Sequence, residues 1–367
     1  MKSTVKRKCD YLIVGAGLSG ITLANLLATK GEEILLIEKK NHIGGACYDY
    51  LDGGIIVQKY GPHIFHTNNK KAWNYLSKFT EWIPYKHKVL AFYKNKYYPM
   101  PINLDTVNSF FNLSLKSGAE MKLFLKNKKK VIENIKNSED LAMSEVGKEL
   151  YGAFIKNFTK KTWGEWPEEL DASVLKRISV KYDKNAYYFN QKYQGLPKSG
   201  YTTMFNKMLA KKNIAVLLNT DFSKEKNKIG YKKLIYTGKI DEFFNYKFGK
   251  LSFRKISFKI EKLNKISFQP NSVVNYTDNS FEFARITEFK KFHNTKSKKT
   301  IISKEKYDNA AEDFYPIANK KNFSILGRYL DESKKLKNVI FFGKMAEFKY
   351  SDMDDIVIES LKRCKNL

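Results

Sequence analysis

Two histidines stand three residues apart in the apolar run Lys59-Tyr60-Gly61-Pro62-His63-Ile64-Phe65-His66-Thr67. That pattern suits three roles: imidazole ligands for a metal ion, a proton-transfer pair working near neutral pH, or buried rings that fill a core. No third ligand type lies nearby, which argues against zinc, whereas the apolar flanks keep the core role open. A second set of candidates is defined by scarcity. Of 67 basic residues only six are arginine, namely Arg7, Arg177, Arg254, Arg285, Arg328 and Arg363. In a chain so biased toward lysine, an arginine marks a place where a planar fork can grip a carboxylate or phosphate in two places and a point charge cannot. Chance retention is the bland alternative.

The elements that would position these groups begin upstream. The stretch "DYLIVGAGLSGITLANLLATKGEEILLIEKK" predicts a strand over Asp10 to Val14, a glycine turn, a helix and a second strand over Ile34 to Ile37. Gly15, Gly17 and Gly20 fill G-x-G-x-x-G, and Glu38 ends the second strand. In such a βαβ unit one glycine allows the tight turn, one lets a pyrophosphate approach the backbone, and one lets helix and strand pack closely. The helix N-terminus adds amide donors and the acid binds ribose hydroxyls. A glycine pair soon after the acid, Gly44-Gly45, resembles the flavoprotein extension of this unit and favours FAD over NAD; a simple β-turn is the alternative.

Composition narrows the class. A chain of 367 residues with 43% hydrophobic content and 14% aromatics suits two or three globular domains, not disorder. No run reaches the eighteen or so apolar residues of a membrane helix, and the expectation is a soluble, cytoplasmic protein. Cys9, Cys47 and Cys364 form no C-x-x-C pair and read as free thiols. The net charge of +29 is spread over every segment, with no nucleic-acid motif, so it reads as a lysine-rich solvated surface able to steer an anionic substrate.

Along the chain, "VLAFYKNKYYPMPINL" predicts a hairpin with a proline-marked exit. Val146, Leu150, Phe154 and Phe158 recur at four-residue intervals within a helical stretch from about 103 to 180. Alternation from about 245 to 302 predicts antiparallel strands. A strand, a loop and a long helix close the chain. The fold class expected is α/β: a Rossmann-like FAD domain with a helical insertion and an antiparallel sheet.

Nine ordered motifs then carry a resemblance over nearly the full length to the bacterial UDP-galactopyranose mutase family: "GAGLSG", "IEKKNHIGGACY", "KYGPHIFHTN", "FTKKTWG", "LKRISVKYDKNAYYF", "YQGLPKSGYT", "YTGKIDEFF", "FARITEFKKF" and "GKMAEFKYSDM". The resemblance implies an FAD-dependent homodimer that interconverts UDP-galactopyranose and UDP-galactofuranose, or the N-acetyl analogue, without net redox. It also implies a discontinuous FAD domain from 8–80, 195–242 and 325–367, a helical domain over 103–180, and a sheet domain from 81–102, 181–194 and 243–324. It implies that N5 of reduced FAD attacks the anomeric carbon and expels UDP, and that the covalent adduct opens and recloses as the furanose. An external reductant is needed, because no dedicated NAD(P)H site is visible.

By the same resemblance Arg177, on a mobile loop, and Arg285 hold the diphosphate, and His66 orients the sugar or shuttles protons. His87, Phe154, Phe158, Thr159, Trp163, Tyr188, Asn275, Tyr315 and Tyr350 are implied for the uridine and sugar, although Phe154 and Phe158 also suit a core. The FAD contacts implied are Gly15, Gly17, Ser19, Gly20, Glu38, Lys39, Gly45, Ala46, His63 and Ile64 on the first unit. Asp221 and Phe222 serve the adenosine half, Arg254 and Lys344 the flavin, and Ser351, Asp352 and Met353 the start of the last helix. Departures from the family pattern are Lys344 for an arginine, Ser351 and Phe158 for tyrosines, Ser19 and Ala46 for phenylalanine and asparagine, and Lys181 for an arginine. His87 stands where asparagine is usual, which bears on a 2-acetamido group. A competing class is a flavin oxidoreductase of the amine-oxidase or desaturase type, and a third is a basic binding module without flavin; the arginines, "TWG" and the late tyrosines suit an anionic nucleotide better.

Overall fold

The computed structural model describes residues 7–175 and 180–367, so Arg177 lies outside the described residues. Strand Arg7–Val14 is the centre of a five-stranded, wholly parallel sheet. Ile34–Ile37 and Ile214–Leu217 follow on one side, Ile229–Tyr236 and Val339–Phe341 on the other. All four residues of Ile34–Ile37 are buried, as expected of a parallel strand covered on both faces. Helix Leu18–Thr29 packs against the closing helix Met353–Arg363, and the Tyr11 hydroxyl donates to the Leu367 carbonyl at 2.8 Å. The strand order reverses between Arg7–Val14 and Ile229–Tyr236. The crevice at the carboxyl ends of those two strands is where an open α/β sheet takes its ligand.

A second sheet of seven strands runs Asp313–Pro316, Phe253–Leu263, Thr300–Tyr307, Arg285–Glu288, Val273–Tyr276, Val89–Tyr93, Lys96–Met100. The strands predicted over about 245 to 302 pair antiparallel with one another, as expected; Val273–Tyr276 also runs parallel to the earlier strand Val89–Tyr93, so the seven-stranded sheet as a whole is mixed. The reason is topological, since the whole helical insertion separates these strands and no hairpin turn dictates their direction. Register matters more for function. Asn275 lies opposite Arg285, and Arg285 lies opposite Glu305, which makes one row across three strands.

The insertion contains helices Leu104–Phe111, Gly118–Lys128 and Ser138–Leu150, a wide π-helical turn Tyr151–Lys156, and helix Asn157–Trp163. Val146, Leu150 and Phe154 share their own apolar core with Tyr98, Val107 and Leu125. Among the described residues no helix is long and apolar enough to cross a membrane.

Candidate active site

A cavity of about 1100 Å³ opens along the switch point of the parallel sheet and reaches the edge of the mixed sheet. At its first end the glycines make a cradle that side chains would fill. A Cβ on Gly20 would stand 2.0 Å from the Gly15 carbonyl oxygen, so Gly20 supports the turn from beneath and does not face the cavity. Gly17 and Gly44 meet as a short parallel bridge, and Gly45, at φ +54°, would put a Cβ 3.0 Å from the Gly17 Cα. The second glycine pair therefore crowds the first phosphate loop. Gly15, Gly17, Ser19, Gly45 and Ala46 line the opening.

Glu38 is buried at the cavity wall, with one carboxylate oxygen accepting from the Ala16 amide at 2.8 Å and the other from the Lys40 amide at 2.9 Å. Lys39, Asp221 and Phe222 line the same end. Asp352 caps the closing helix, and Ser351, Asp352 and Met353 line the cavity where that helix begins. Amide-rich turns, a fixed acid and two helix starts around an elongated cleft fit a dinucleotide such as FAD.

The other end carries the cationic and aromatic groups. Arg285 Nε donates to Asn275 Oδ1 at 3.0 Å and Nη1 to Glu305 Oε2 at 3.1 Å. Glu305 also accepts from Arg254 Nη2 at 3.2 Å, so one buried carboxylate joins two guanidinium groups. Burial opposes the charge of both arginines. At Arg285 burial is the largest single influence, but Glu305 together with Tyr188 and Tyr315 more than offsets it and the pKa is raised; at Arg254 burial prevails and the pKa is lowered. Arg285 and Asn275 line the main cavity. Arg254 lies in an adjoining chamber of about 380 Å³, stacked 5.4 Å from the rings of both Trp163 and Tyr315. Tyr315 stacks on Tyr350 at 5.5 Å, with the Lys344 ammonium 4.4 Å above the Tyr315 ring; Tyr188, Tyr315, Tyr350 and Lys344 all face the main cavity. Burial pushes Lys344 down to about 8.

The opening histidines divide. His63 and Ile64 line the cavity, and His63 Nδ1 donates to the Gly61 carbonyl at 3.0 Å, which leaves Nε2 without a proton. Burial, aided by Lys344, pushes its pKa down to about 4. His66, on strand Phe65–Thr67, stacks on Phe189 at 3.8 Å and faces the cavity. His87 is buried beside it, with Nδ1 3.3 Å from the Tyr85 hydroxyl; burial, then Arg285 and His66, push it down to about 3. Among the described residues, no group of three or more His, Cys, Asp or Glu is placed to hold a metal ion.

Two sets of expected contacts fall elsewhere. Phe154 packs at 5.1 Å from Tyr98 and 5.3 Å from Phe110 inside the helical core, because the π-helical turn directs it inward. Phe158 and Thr159 follow on the next helix but line neither chamber, whereas Trp163 at its end reaches the smaller one. Sequence reasoning missed Glu305 and Phe189. Glu305 had a signal: in "TIISKEKY" it alternates with the lysines on the inward phase of the strand, the face Arg285 shares.

Comparison with known proteins decides between the flavoprotein classes. The sequence signature of UDP-galactopyranose mutase matches residues 153–350, and that of an NAD(P)-binding Rossmann-like domain matches 13–79. A probable UDP-galactopyranose mutase of Klebsiella pneumoniae is 36% identical over 96% of this chain and 93% of its own. The chain belongs to the UDP-galactopyranose mutase family. The UDP-galactopyranose mutase of Mycoplasma genitalium (35% identical; 98% of this chain, 94% of its own) and a dTDP-fucopyranose mutase of Escherichia coli (33%; 96% of each) are similar over the same extent. In fold, a reduced UDP-galactopyranose mutase superposes with a TM-score of 0.78 at 13% identity, covering 98% of this chain and 93% of its own. A putative protoporphyrinogen oxidase from Exiguobacterium reaches 0.67 at 10% identity, covering 100% and 99%, so the architecture alone is shared with oxidases. Members of the mutase family are FAD-dependent isomerases, and the glycine turns and Glu38 at one end of the cavity have the shape and donors such a dinucleotide needs.

Proposed function

We propose that this mutase interconverts the pyranose and furanose forms of UDP-galactose, or of its N-acetyl analogue, by displacement at the anomeric carbon without net redox. The observation that carries the reading is Arg285, fixed between Asn275 and Glu305 on the wall that faces the flavin cradle across one continuous cavity. The chemistry that reduced FAD supplies when bound is a nucleophilic nitrogen for that carbon. The chain's own residues do the rest. Arg285 holds the diphosphate and stabilises the departing nucleotide, joined by Arg177 from the segment outside the described residues. Oriented charge at a leaving group is worth most in a water-poor site. Tyr188, Tyr315 and Tyr350 exclude water and offer both ring face and hydroxyl to base, sugar and diphosphate. His66 relays protons to the sugar ring oxygen, while His63 and His87, held neutral, orient groups by hydrogen bonding without adding charge.

The reading extends to a cytoplasmic homodimer that draws electrons from an external reductant and supplies galactofuranose for cell-surface polysaccharide. The FAD, helical and sheet segments divide this labour as cofactor, nucleotide and diphosphate modules. The test is a product assay: purified protein with reduced flavin is given UDP-galactopyranose, UDP-N-acetylgalactosamine and dTDP-fucopyranose, and furanose is followed by NMR. Conversion of either UDP sugar supports the proposal. Conversion of dTDP-fucopyranose alone would move this chain to the substrate in the Escherichia coli relative's name.

A further inference from the structure

Lys161 is a lysine in the middle of helix Asn157–Trp163 that does not point to water. Its ammonium donates to three backbone carbonyls of one loop: Tyr276, Asp278 at 2.7 Å and Phe281 at 3.3 Å. Burial pushes its pKa down to about 8, offset in part by Asp278. Removing an ammonium from water is costly, and carbonyl dipoles repay it only when they converge. The loop is the one that leaves strand Val273–Tyr276 and leads into Arg285–Glu288. Tyr276 directly follows Asn275, the residue that holds Arg285 Nε. A second contact fixes the same helix end: Gly164 closes the helix at φ +77°, and a Cβ there would stand 2.7 Å from the Tyr307 ring, on the strand that carries Glu305. Between these two points the helix presents Trp163 to Arg254.

We infer that Lys161 is a positioning residue: its three-carbonyl cage sets the register of the Trp163 helix against the strand pair that carries Asn275 and Arg285. The two halves of the nucleotide-binding wall, one from the helical insertion and one from the mixed sheet, meet at this lysine. The inference rests on the proposed function, since the wall matters only if an anionic nucleotide binds there.

Binding of UDP to the FAD-loaded enzyme, measured by calorimetry, separates the possibilities. Wild type that bound no UDP would overturn the nucleotide reading itself. Given wild-type binding, Lys161→Met should weaken UDP affinity about tenfold or more, because displacements near 1 Å are costly in an oriented site. Flavin content should stay at the wild-type level, since the cofactor cradle is remote from this loop. Lys160→Met removes the same charge one residue earlier and should leave UDP affinity unchanged. Equal affinity in wild type and Lys161→Met, or equal losses in both variants, would overturn the proposal. If Lys161→Met does not fold, Lys161→Ala is titrated with n-propylammonium, which restores the missing side chain. UDP affinity rising with the amine supports the cage, and affinity indifferent to it contradicts the cage.

Discussion

Arg285 stands directly opposite Glu305 in the mixed sheet and donates Nη1 to its carboxylate at 3.1 Å, while the same carboxylate accepts from Arg254 at 3.2 Å. Glu305, itself buried, therefore fixes where two partly buried guanidinium groups point, and its removal leaves both without their counter-charge. Loss of one partner from a buried pair commonly costs about 3–5 kcal/mol. Glu305→Ala should lower the melting temperature of the protein and reduce kcat/KM together, and Glu305→Gln should recover part of each. A Glu305→Ala protein with wild-type UDP affinity would show that Arg285 finds its orientation elsewhere.

Arg285→Ala should lower kcat by roughly 10²–10³, the scale on which an oriented donor at a developing charge acts. Arg285→Lys should restore only part, because an ammonium cannot bond Asn275, Glu305 and a diphosphate as a planar fork does. The same pair of substitutions at Arg177 should behave alike. Steady-state kinetics with both arginines replaced by lysine check the claim, and full activity in that protein would sink it.

How much of this is legible in the sequence differs by element. The βαβ unit is plain because glycine spacing, helical periodicity and the all-apolar Ile34–Ile37 agree at every level. Arg285 is legible by scarcity. Glu305 is legible only as an inward-facing acid, since strand pairing alone shows that its carboxylate meets two arginines from neighbouring strands. The parallel pairing of Val273–Tyr276 with Val89–Tyr93 left no local trace, because pairing between distant segments is decided by the tertiary fold. Phe154 shows the limit of periodicity: a four-residue repeat predicts a buried face but not whether core or ligand covers it, and here the core does.

His66→Ala should keep its flavin and bind UDP, yet turn over about 10²-fold more slowly, as expected for a lost proton relay. The ring stacks on Phe189, which lines the cavity with it, and neither belongs to the glycine cradle, so its removal should leave that cradle intact. Flavin absorbance and UDP calorimetry on the variant separate relay from scaffold; a colourless protein would make His66 structural.

Stability should fall on acidification from about pH 6.5 toward pH 4. Burial holds His87 down at about 3 and His63 at about 4, against 6.5 for the free side chain. In that window the unfolded chain takes up protons that the folded one refuses, so stability is full above the unfolded pKa and declines below it. Each histidine contributes up to about 1.4 kcal/mol per pH unit. Chemical denaturation across this range should give a shallower slope for His87→Gln; an unchanged slope would mean that His87 is protonated in the folded protein.

Gly20→Ala should lose FAD, because the added methyl would meet the Gly15 carbonyl at 2.0 Å and open the turn that carries the phosphate loop. The ratio of flavin to protein absorbance reads this directly, and a fully yellow Gly20→Ala protein would place the cofactor elsewhere.

The central claim is that an electron-rich flavin, held in the Glu38 cradle, and Arg285 across the same cavity work on one nucleotide sugar. The most direct measurement is the rate of furanose formation from UDP-galactopyranose by one FAD-loaded preparation, first oxidised and then reduced with dithionite. The account predicts turnover only after reduction, with the flavin still reduced at the end; equal rates in the two states would contradict it.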